Sequence, residues 1–260
     1  MSFSTIGMKK MKRLVVGNWK MNPLTTDEAK KIAQISKRTA GKASKTQVVL
    51  CPPFVYIPAL SKLPAKNIFL GAQDAFFETM GHFTGEVSAS QLYQFGVRYV
   101  LVGHSERRAL GETNDITNRK LRAVLGEGMS PILCVGEKVR DTHGDYLDTI
   151  RLQTLEGLKD VQKKIIDRVV IAYEPVWAVG ANKTPSTEEI HEISIFIKKI
   201  LRDIYGVLSD GVRILYGGDV TVNNADRILA DGFVHGLLIG RESLDTRDFP
   251  EIIRLVDSLK

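Results

Sequence analysis

Eight short apolar segments, spread along the whole chain, constrain the fold more than any other feature of the sequence. They are rich in valine, isoleucine and leucine and do not alternate between apolar and polar residues, which is typical of parallel strands covered on both faces. Longer segments with helical periodicity separate them. The predicted strands are Leu14–Gly17, Val48–Cys51, Ile68–Ala72, Tyr99–Val102, Pro131–Val135, Val169–Tyr173, Val212–Tyr216 and Gly236–Ile239.

The helical signal is clearest after Pro185. Ser186 and Glu189 have the spacing of a capping box, in which each side chain satisfies a backbone N–H at the helix start. The apolar face of this predicted helix consists of Ile190, Ile193, Ile197, Ile200 and Ile204. Weaker signals with polar cap residues predict further helices over Asp27–Ala40 after Thr26, Asp115–Leu125 after Thr113, and Asn223–Leu229.

The repeated order of strand, loop and helix predicts an α/β fold with eight parallel strands closed into a single (β/α)8 barrel, an architecture of about 250 residues. No linker rich in proline, glycine or serine divides the chain. An open doubly wound sheet is the alternative, but the segment Gly17–Asn22 lacks the G-x-G-x-x-G fingerprint of dinucleotide binding. We expect residues 14–260 to form one catalytic domain and residues 1–13 to be a mobile basic extension.

The charge balance narrows the class of ligand. Thirty-six Lys and Arg against thirty Asp and Glu give a net charge of +6, which suits an anionic substrate or a nucleic acid. The charges are scattered, so we expect no nucleic-acid partner. The apolar stretch after the basic cluster near Lys12 is too short for a signal peptide or a membrane span. Cys51 and Cys134 each end an apolar run, as buried free thiols do, and together these features predict a cytoplasmic protein.

Polar residues follow the apolar runs abruptly, at the strand ends where (β/α)8 barrels carry their active sites. They offer a basic side chain, an imidazole, a carboxylate base and glycine turns that bind phosphate through backbone N–H groups. These strand-end residues are Asn18 and Lys20, Gln73 and Asp74, His104 to Glu106, Glu137, Glu174, Gly217 to Asp219, and Gly240 to Glu242.

Each of these residues also has a structural interpretation. His104 could simply neighbour a helix cap, Glu174 could be a loop carboxylate and Lys20 a solvated lysine, while the glycines could only form tight turns. Their joint position at strand ends favours a functional role. The remaining histidines have no metal-ligand spacing, and we expect neither a metal nor a cofactor.

Five motifs give this pattern a family resemblance. From Leu14 to the C-terminus the sequence resembles the triosephosphate isomerases. The motifs occur in the order and positions of that family and are Gly17–Asn22 (GNWKMN), Gly81–Glu86 (GHFTGE), Gly103–Arg108 (GHSERR), Tyr173–Ala178 (YEPVWA) and Tyr216–Gly218 (YGG).

The resemblance implies an isomerase that interconverts dihydroxyacetone phosphate and D-glyceraldehyde 3-phosphate in glycolysis and gluconeogenesis. It implies that Glu174 is the base and that neutral His104 polarises the carbonyl group. By the same resemblance Lys20 offsets negative charge and Asn18 orients the substrate. Ser105 and Glu106 are implied as supporting residues.

The resemblance also implies a lid and a homodimer. Gly180 in the lid would offer a backbone N–H to the phosphate, and the Gly81–Glu86 loop would insert into a second subunit with Thr84 near the partner's site. The lid comprises Pro175, Val176, Trp177, Ala178, Val179, Gly180, Ala181, Asn182, Lys183 and Thr184. The implied interface residues are Gln73, Phe83, Thr84, Gly85 and Glu86.

The sequence departs from the family pattern in the lid and at the implied phosphate site. In the lid, Ala181 and Asn182 stand where the family usually has Thr-Gly before Lys183-Thr184. Asp219 replaces a serine after Gly217-Gly218, Arg241 replaces the glycine after Gly240, and Pro185 follows the lid. Asp219 and Arg241 belong to the implied phosphate site, together with Gly240, and we expect the two charges to compensate each other, the alternative being that both side chains point to solvent. These departures leave open an isomerase of another small phosphosugar or a weakened homologue. A basic binding module on a barrel scaffold is a third alternative.

Overall fold

Eight parallel strands close into a barrel in the computed structural model, which describes residues 11–178 and 184–259. The strands follow one another around the barrel in chain order, and the eighth pairs with the first. They are β1 (Arg13–Asn18), β2 (Thr46–Cys51), β3 (Ile68–Ala72), β4 (Val97–Val102), β5 (Ser130–Val135), β6 (Val170–Tyr173), β7 (Arg213–Tyr216) and β8 (Gly236–Ile239). The predicted (β/α)8 barrel is confirmed, and the open-sheet alternative is wrong.

The predicted limits of β3 and β8 are confirmed, and those of the other strands differ by one or two residues. β2 and β4 begin earlier, at Thr46 and Val97, because Thr46 pairs with Arg13 of β1 and Val97 pairs with Leu70 of β3. β6 and β7 each begin one residue later than predicted. The N–H groups of Val169 and Val212 instead close 3-10 turns onto Ile166 and Ser209, so they are not available to the sheet.

Helices cover the outside of the barrel. The capping box of Ser186 and Glu189 is confirmed at the start of α7, and Thr113 caps α5 as predicted. The helices within the described residues are α1 (Thr26–Lys42), α2 (Ile57–Leu60), α3 (Ala89–Gln94), α4 (Ser105–Ala109), α5 (Asn114–Gly126), α6 (Tyr146–Gly157), α7 (Thr187–Tyr205), α8 (Ala225–Asp231) and α9 (Asp248–Ser258).

Two predicted helix starts need correction. The cap of α1 is Thr25 rather than Thr26, since its side chain accepts the N–H of Glu28. α8 begins two residues after the predicted Asn223. The side chain of Asn224 accepts the N–H of Thr221 and donates to the Asp219 carbonyl, which stabilises a turn before the helix.

Apolar side chains fill the interior of the barrel, which is therefore a packed core and not a channel. Cys51 and Cys134 belong to it, unpaired and buried, and burial raises the pKa of both thiols. At the amino ends of the strands, Arg213 donates to Gln47 (2.9 Å) and to the hydroxyl of Tyr99 (3.2 Å), which closes that end. The buried interior residues are Leu14, Val16, Val49, Cys51, Tyr99, Leu101, Ile132, Cys134, Val170, Ala172, Leu215 and Leu238.

Four charged side chains form an ionic quartet between β3, α4 and α5, in which Asp74, Glu112 and Lys120 are buried and Arg107 is 41% exposed. The Lys120 side chain is only 3% exposed, and its Nζ lies 2.7 Å from Asp74 Oδ1 and 2.6 Å from Glu112 Oε2. Arg107 approaches Asp74 to 2.9 Å. Burial raises the pKa of Asp74, and the Lys120 ammonium opposes that shift. Glu112 also accepts the N–H of Gly103 (2.9 Å), so the quartet fixes the turn that ends β4.

None of the helices in the described part of the chain is both long and apolar enough to cross a membrane.

His235, just before β8, should make stability depend on pH. Burial, then the charges of Lys198 and Arg213, lowers its pKa from 6.5 to about 4. Because the unfolded chain binds this proton more readily, the free energy of unfolding should fall as the pH drops from 6.5 towards 4. His235→Asn keeps an acceptor for the Ile214 N–H and should flatten that pH dependence in urea unfolding. His143→Asn, at an exposed site, is the control, and equal slopes for the two variants would contradict the prediction.

Candidate active site

The carboxyl ends of the strands surround a cavity of about 680 Å³. Asn18 and Lys20 reach it from β1, His104 to Glu106 from β4, and Glu174 from β6. The sequence-predicted residues at the ends of β7 and β8 line its other side. The lining residues are Asn18, Trp19, Lys20, Asn22, His104, Ser105, Glu106, Ala109, Glu174, Val176, Ala178, Gly217, Gly218, Asp219, Val220, Leu238, Gly240, Arg241, Glu242 and Leu244.

Glu174 is buried at the base of the cavity, with 4% of its surface exposed. Its Oε2 accepts the backbone N–H of Ser105 (3.1 Å), and its Oε1 lies 3.1 Å from Nε2 of His104. Its backbone is held between neighbouring strands, since the Glu174 N–H donates to Val135 and the Gly217 N–H donates to Tyr173. The carboxylate is therefore fixed beside the imidazole.

The contacts of His104 determine its tautomer. His104 is the N-cap of α4, and its Nδ1 accepts the N–H of Glu106 (3.2 Å). A neutral imidazole has one acceptor nitrogen, so the proton lies on Nε2 and is donated to Glu174. The Asn18 amide nitrogen, 3.3 Å from Nε2, is then a close neighbour and not a donor to it. The structural interpretation placed His104 beside a helix cap; His104 is itself the cap, and it is also a donor towards the cavity.

Lys20 is held in an unusual backbone conformation. Its φ is +51°, a left-handed value that costs a residue with a Cβ about 1 kcal/mol or more. Gln73 donates to the carbonyl oxygens of Lys20 (2.8 Å) and Cys51 (2.9 Å), and Asn18 accepts the Lys20 N–H. The Lys20 Nζ lies 2.6 Å from Glu106, as the resemblance implies. Gln73, implied at a subunit interface, makes these contacts within its own chain.

The turns after β7 and β8 present backbone donors to the cavity. A Cβ on Gly217 would lie 3.0 Å from Glu174 Cγ, and one on Gly218 would lie 2.1 Å from the Tyr216 hydroxyl, so both positions need glycine. Within the described residues, the N–H groups of Gly218, Asp219, Gly240 and Arg241 have no hydrogen-bond acceptor. All four residues line the cavity, and unpaired backbone N–H groups on neighbouring turns are a common anion-binding arrangement.

Asp219 and Arg241 lie near each other and are also exposed to solvent, so the structure does not separate the predicted charge compensation from its alternative. Arg241 Nη2 lies 4.0 Å from Asp219 Oδ1, at the limit of an ion pair, and both side chains are largely exposed. Arg241 begins a 3-10 turn, Arg241–Leu244, directly after Gly240. The two side chains therefore stand together at the rim of the cavity.

The first part of the implied lid packs against Glu137. Trp177 donates its indole N–H to Glu137 Oε1 (2.7 Å), and the Tyr173 hydroxyl donates to the same oxygen (3.0 Å). Burial raises the pKa of Glu137. Pro175 precedes the short turn Val176–Ala178, and Thr184 is exposed. The lid residues Val179, Gly180, Ala181, Asn182 and Lys183 lie outside the described residues.

The implied interface loop projects from the end of β3. Gly81 (φ +148°) and Gly85 (φ +92°) adopt conformations that favour glycine, and Thr84 and Glu86 are exposed. Phe83 packs on Phe76 with ring centroids 4.6 Å apart. The loop is thus shaped by its glycines and one aromatic contact.

Two features of the site were not predicted from the sequence. They are the ionic quartet and the need for glycine at position 136, where a Cβ would collide with the backbone of Glu174. Asp74 was singled out as a strand-end residue, but nothing in the helical charge pattern distinguishes Lys120 or Glu112 from solvated residues.

In the described ranges, no group of three or more His, Cys, Asp or Glu is arranged to hold a metal ion.

Comparison with known proteins identifies the family. A family model described as triosephosphate isomerase matches residues 13–256. The chain belongs to the triosephosphate isomerase family. Its (β/α)8 barrel is accordingly that of an isomerase.

Curated relatives agree over nearly their full length. The triosephosphate isomerase of Moorella thermoacetica is 40% identical over 243 residues, which cover 92% of this chain and 97% of that protein. The triosephosphate isomerase of Chlorobium phaeobacteroides is 39% identical over 246 residues, which cover 94% of this chain and 98% of that protein.

Gly136 should be essential for the position of Glu174. A Cβ at this position would lie 1.7 Å from the Glu174 carbonyl oxygen, so Gly136→Ala must displace the end of β6. We expect a loss of about 3 kcal/mol in the free energy of unfolding, measured in urea. Gly126→Ala is the control, because a Cβ there meets nothing within 4 Å. Equal stability of the two variants would show that β6 moves without strain.

Proposed function

We propose that the protein interconverts dihydroxyacetone phosphate and D-glyceraldehyde 3-phosphate through an enediolate intermediate. The observation that carries the proposal is the buried Glu174 carboxylate, 3.1 Å from the Nε2 of a neutral His104. A carboxylate base and a neutral donor side by side are the groups needed to move a proton between a carbon and its neighbouring carbonyl. Family membership supports the triose phosphate as substrate.

Glu174 is proposed as the base that removes and returns the carbon-bound proton. Its carboxylate now accepts from Ser105 and His104, so a bound substrate must take over the His104 contact. The Nε2–H would then donate to the substrate carbonyl oxygen and the carboxylate would turn towards the carbon. Neutral His104 suits this role because the enediolate oxygen gains negative charge as the carbon loses its proton.

Lys20 and Asn18 are proposed to stabilise the same negative charge. Lys20 Nζ enters the cavity and is positioned by Glu106, while Asn18 lies beside His104 Nε2. The phosphate group is assigned to the free N–H groups after β7 and β8, with Gly180 contributing from the lid by resemblance. Closure of the lid would exclude water from the enediolate.

The proposal places the enzyme in glycolysis and gluconeogenesis, in the cytoplasm and without a cofactor. Buried, unpaired Cys51 and Cys134 suit a reducing compartment. A different small phosphosugar substrate remains the competing assignment, motivated by Asp219 and Arg241. Parallel assays with a four-carbon ketose phosphate distinguish the two.

Glu174→Asp tests the base. Shortening the side chain by one methylene withdraws the carboxylate by about 1 Å, which should lower kcat about 100-fold. The readout is a coupled assay of glyceraldehyde 3-phosphate isomerisation. Glu188→Asp, on the exposed start of α7, is the matched control and should retain parental activity. Near-parental kcat in Glu174→Asp would refute the assignment.

We further propose a homodimer formed by one half of the cavity rim. The loops that follow the four consecutive strands β1 to β4 expose large apolar side chains, which water disfavours and a partner subunit would cover. Because these strands are neighbours in the barrel, their loops share one side of the rim. The exposed residues are Met21, Leu24, Val55, Met80, Phe83 and Leu110. Thr84 would approach the partner's cavity, as the resemblance implies.

Phe83→Asp should separate the subunits. A charge buried between subunits is strongly unfavourable, so the variant should sediment as a monomer near 28.9 kDa, while the parent sediments at about twice that mass. Leu155→Asp on α6 is the matched control, since Leu155 is 41% exposed and Phe83 is 42% exposed. A dimeric Phe83→Asp protein, or a monomeric parent, would contradict the proposed interface.

A further inference from the structure

The charges around the cavity are unfavourable for a phosphate dianion. Among the described lining residues, two side chains are cationic and four are carboxylates. The net charge of +6 of the whole chain therefore does not describe the field that a bound phosphate meets. The cationic residues are Lys20 and Arg241, and the carboxylates are Glu106, Glu174, Asp219 and Glu242.

The two cations differ in how they are paired. Lys20 Nζ is engaged with Glu106 at 2.6 Å. The Arg241 guanidinium lies 4.0 Å from Asp219, its side chain is 85% exposed, and it makes no hydrogen bond within the described residues. A guanidinium is planar and presents paired donors that match phosphate oxygens. Arg241 is therefore the less engaged of the two cations.

The position of Arg241 places it beside the proposed phosphate site. Within the described residues, the backbone N–H groups of Gly240 and Arg241 have no acceptor, and both residues line the cavity. On the neighbouring turn after β7, the backbone N–H of Asp219 also has no acceptor among the described residues. A Cβ on Gly240 would lie 3.5 Å from Lys20 Cε, so this turn adjoins the lysine as well. An anion bound at this turn would be close to Lys20 and to the residue that carries the guanidinium.

We propose that the Arg241 side chain binds the substrate phosphate, in addition to the backbone N–H groups, and that Asp219 is its positioning residue. Asp219 holds the guanidinium at the rim, and the two charges cancel, so that the carboxylate does not repel the phosphate. This inference rests on the proposed function for the identity of the phosphate-bearing substrate. It makes Arg241 a determinant of affinity for the phosphate dianion.

The role of Arg241 predicts a particular kinetic signature. The phosphate group does not react, so a contact to it stabilises ground state and transition state alike. Arg241→Ala should raise KM about three- to five-fold and leave kcat unchanged, a magnitude typical of an exposed charge pair. The effect should shrink as ionic strength rises, because exposed charges are screened. A purely structural role would lower kcat or stability instead.

The direct experiment measures binding of inorganic phosphate to the intact protein by titration calorimetry at low ionic strength. Arg241→Ala should weaken binding about three- to five-fold relative to the parent. Arg227→Ala is the matched control, because it removes the same charge from an exposed position on α8 outside the cavity and should bind phosphate like the parent. Thermal unfolding of each variant checks that the fold is intact.

A double-mutant cycle tests the role of Asp219. Asp219→Asn alone should change phosphate affinity less than two-fold, since it removes both a repulsion and a positioning contact. In the Arg241→Ala background, Asp219→Asn should restore at least half of the lost affinity on a logarithmic scale, because the unopposed carboxylate is gone. Additive effects would show that Asp219 does not act with Arg241 and would overturn that part of the proposal.

The outcomes separate this inference from the proposed function. Phosphate binding that is weakened in Arg241→Ala supports the inference even if the parent does not isomerise triose phosphates, in which case only the proposed function fails. An active parent whose phosphate affinity and KM are unchanged by Arg241→Ala overturns the inference and leaves the proposed function standing. A parent that binds no phosphate also overturns it.

Discussion

The loops at the cavity end of the barrel depend on the ion pairs that the Lys120 ammonium makes with two buried carboxylates. Buried carboxylates are unstable without a counter-charge, and Lys120 supplies one to both Asp74 and Glu112. Glu112 in turn accepts the N–H of Gly103, directly before His104. Asp74 adjoins Gln73, which donates to the carbonyl of Lys20. The quartet thus connects the loops that follow β1, β3 and β4 and fixes them relative to one another.

Most of the architecture followed from local patterns. Eight apolar runs predicted the barrel, and parallel strands necessarily bring Lys20, His104 and Glu174 to one end. The quartet could not be found in this way, because a lysine on a polar helix has the same pattern whether it is solvated or buried under a neighbouring loop. Gly136 was missed for a related reason. Its requirement comes from the approach of β6, which is a contact between distant segments.

The sequence left His104 as either a neighbour of a helix cap or a catalytic group, but the structure makes it the cap itself and links the two roles. Because Nδ1 accepts a backbone N–H of α4, the ring keeps its proton on Nε2 and directs it into the cavity. Capping therefore selects the tautomer that the proposed chemistry requires.

The arrangement of charge separates two tasks that conflict. A cation close to a carboxylate stabilises the anion and makes it a weaker base, yet a phosphorylated substrate needs positive charge for binding. Within the described residues Glu174 forms no ion pair with a lysine or arginine, Lys20 is paired with Glu106, and Arg241 stands at the rim. Backbone N–H groups, which carry no net charge, supply the rest of the proposed anion site. Attraction for the phosphate is thereby kept at a distance from the carboxylate that must accept a proton.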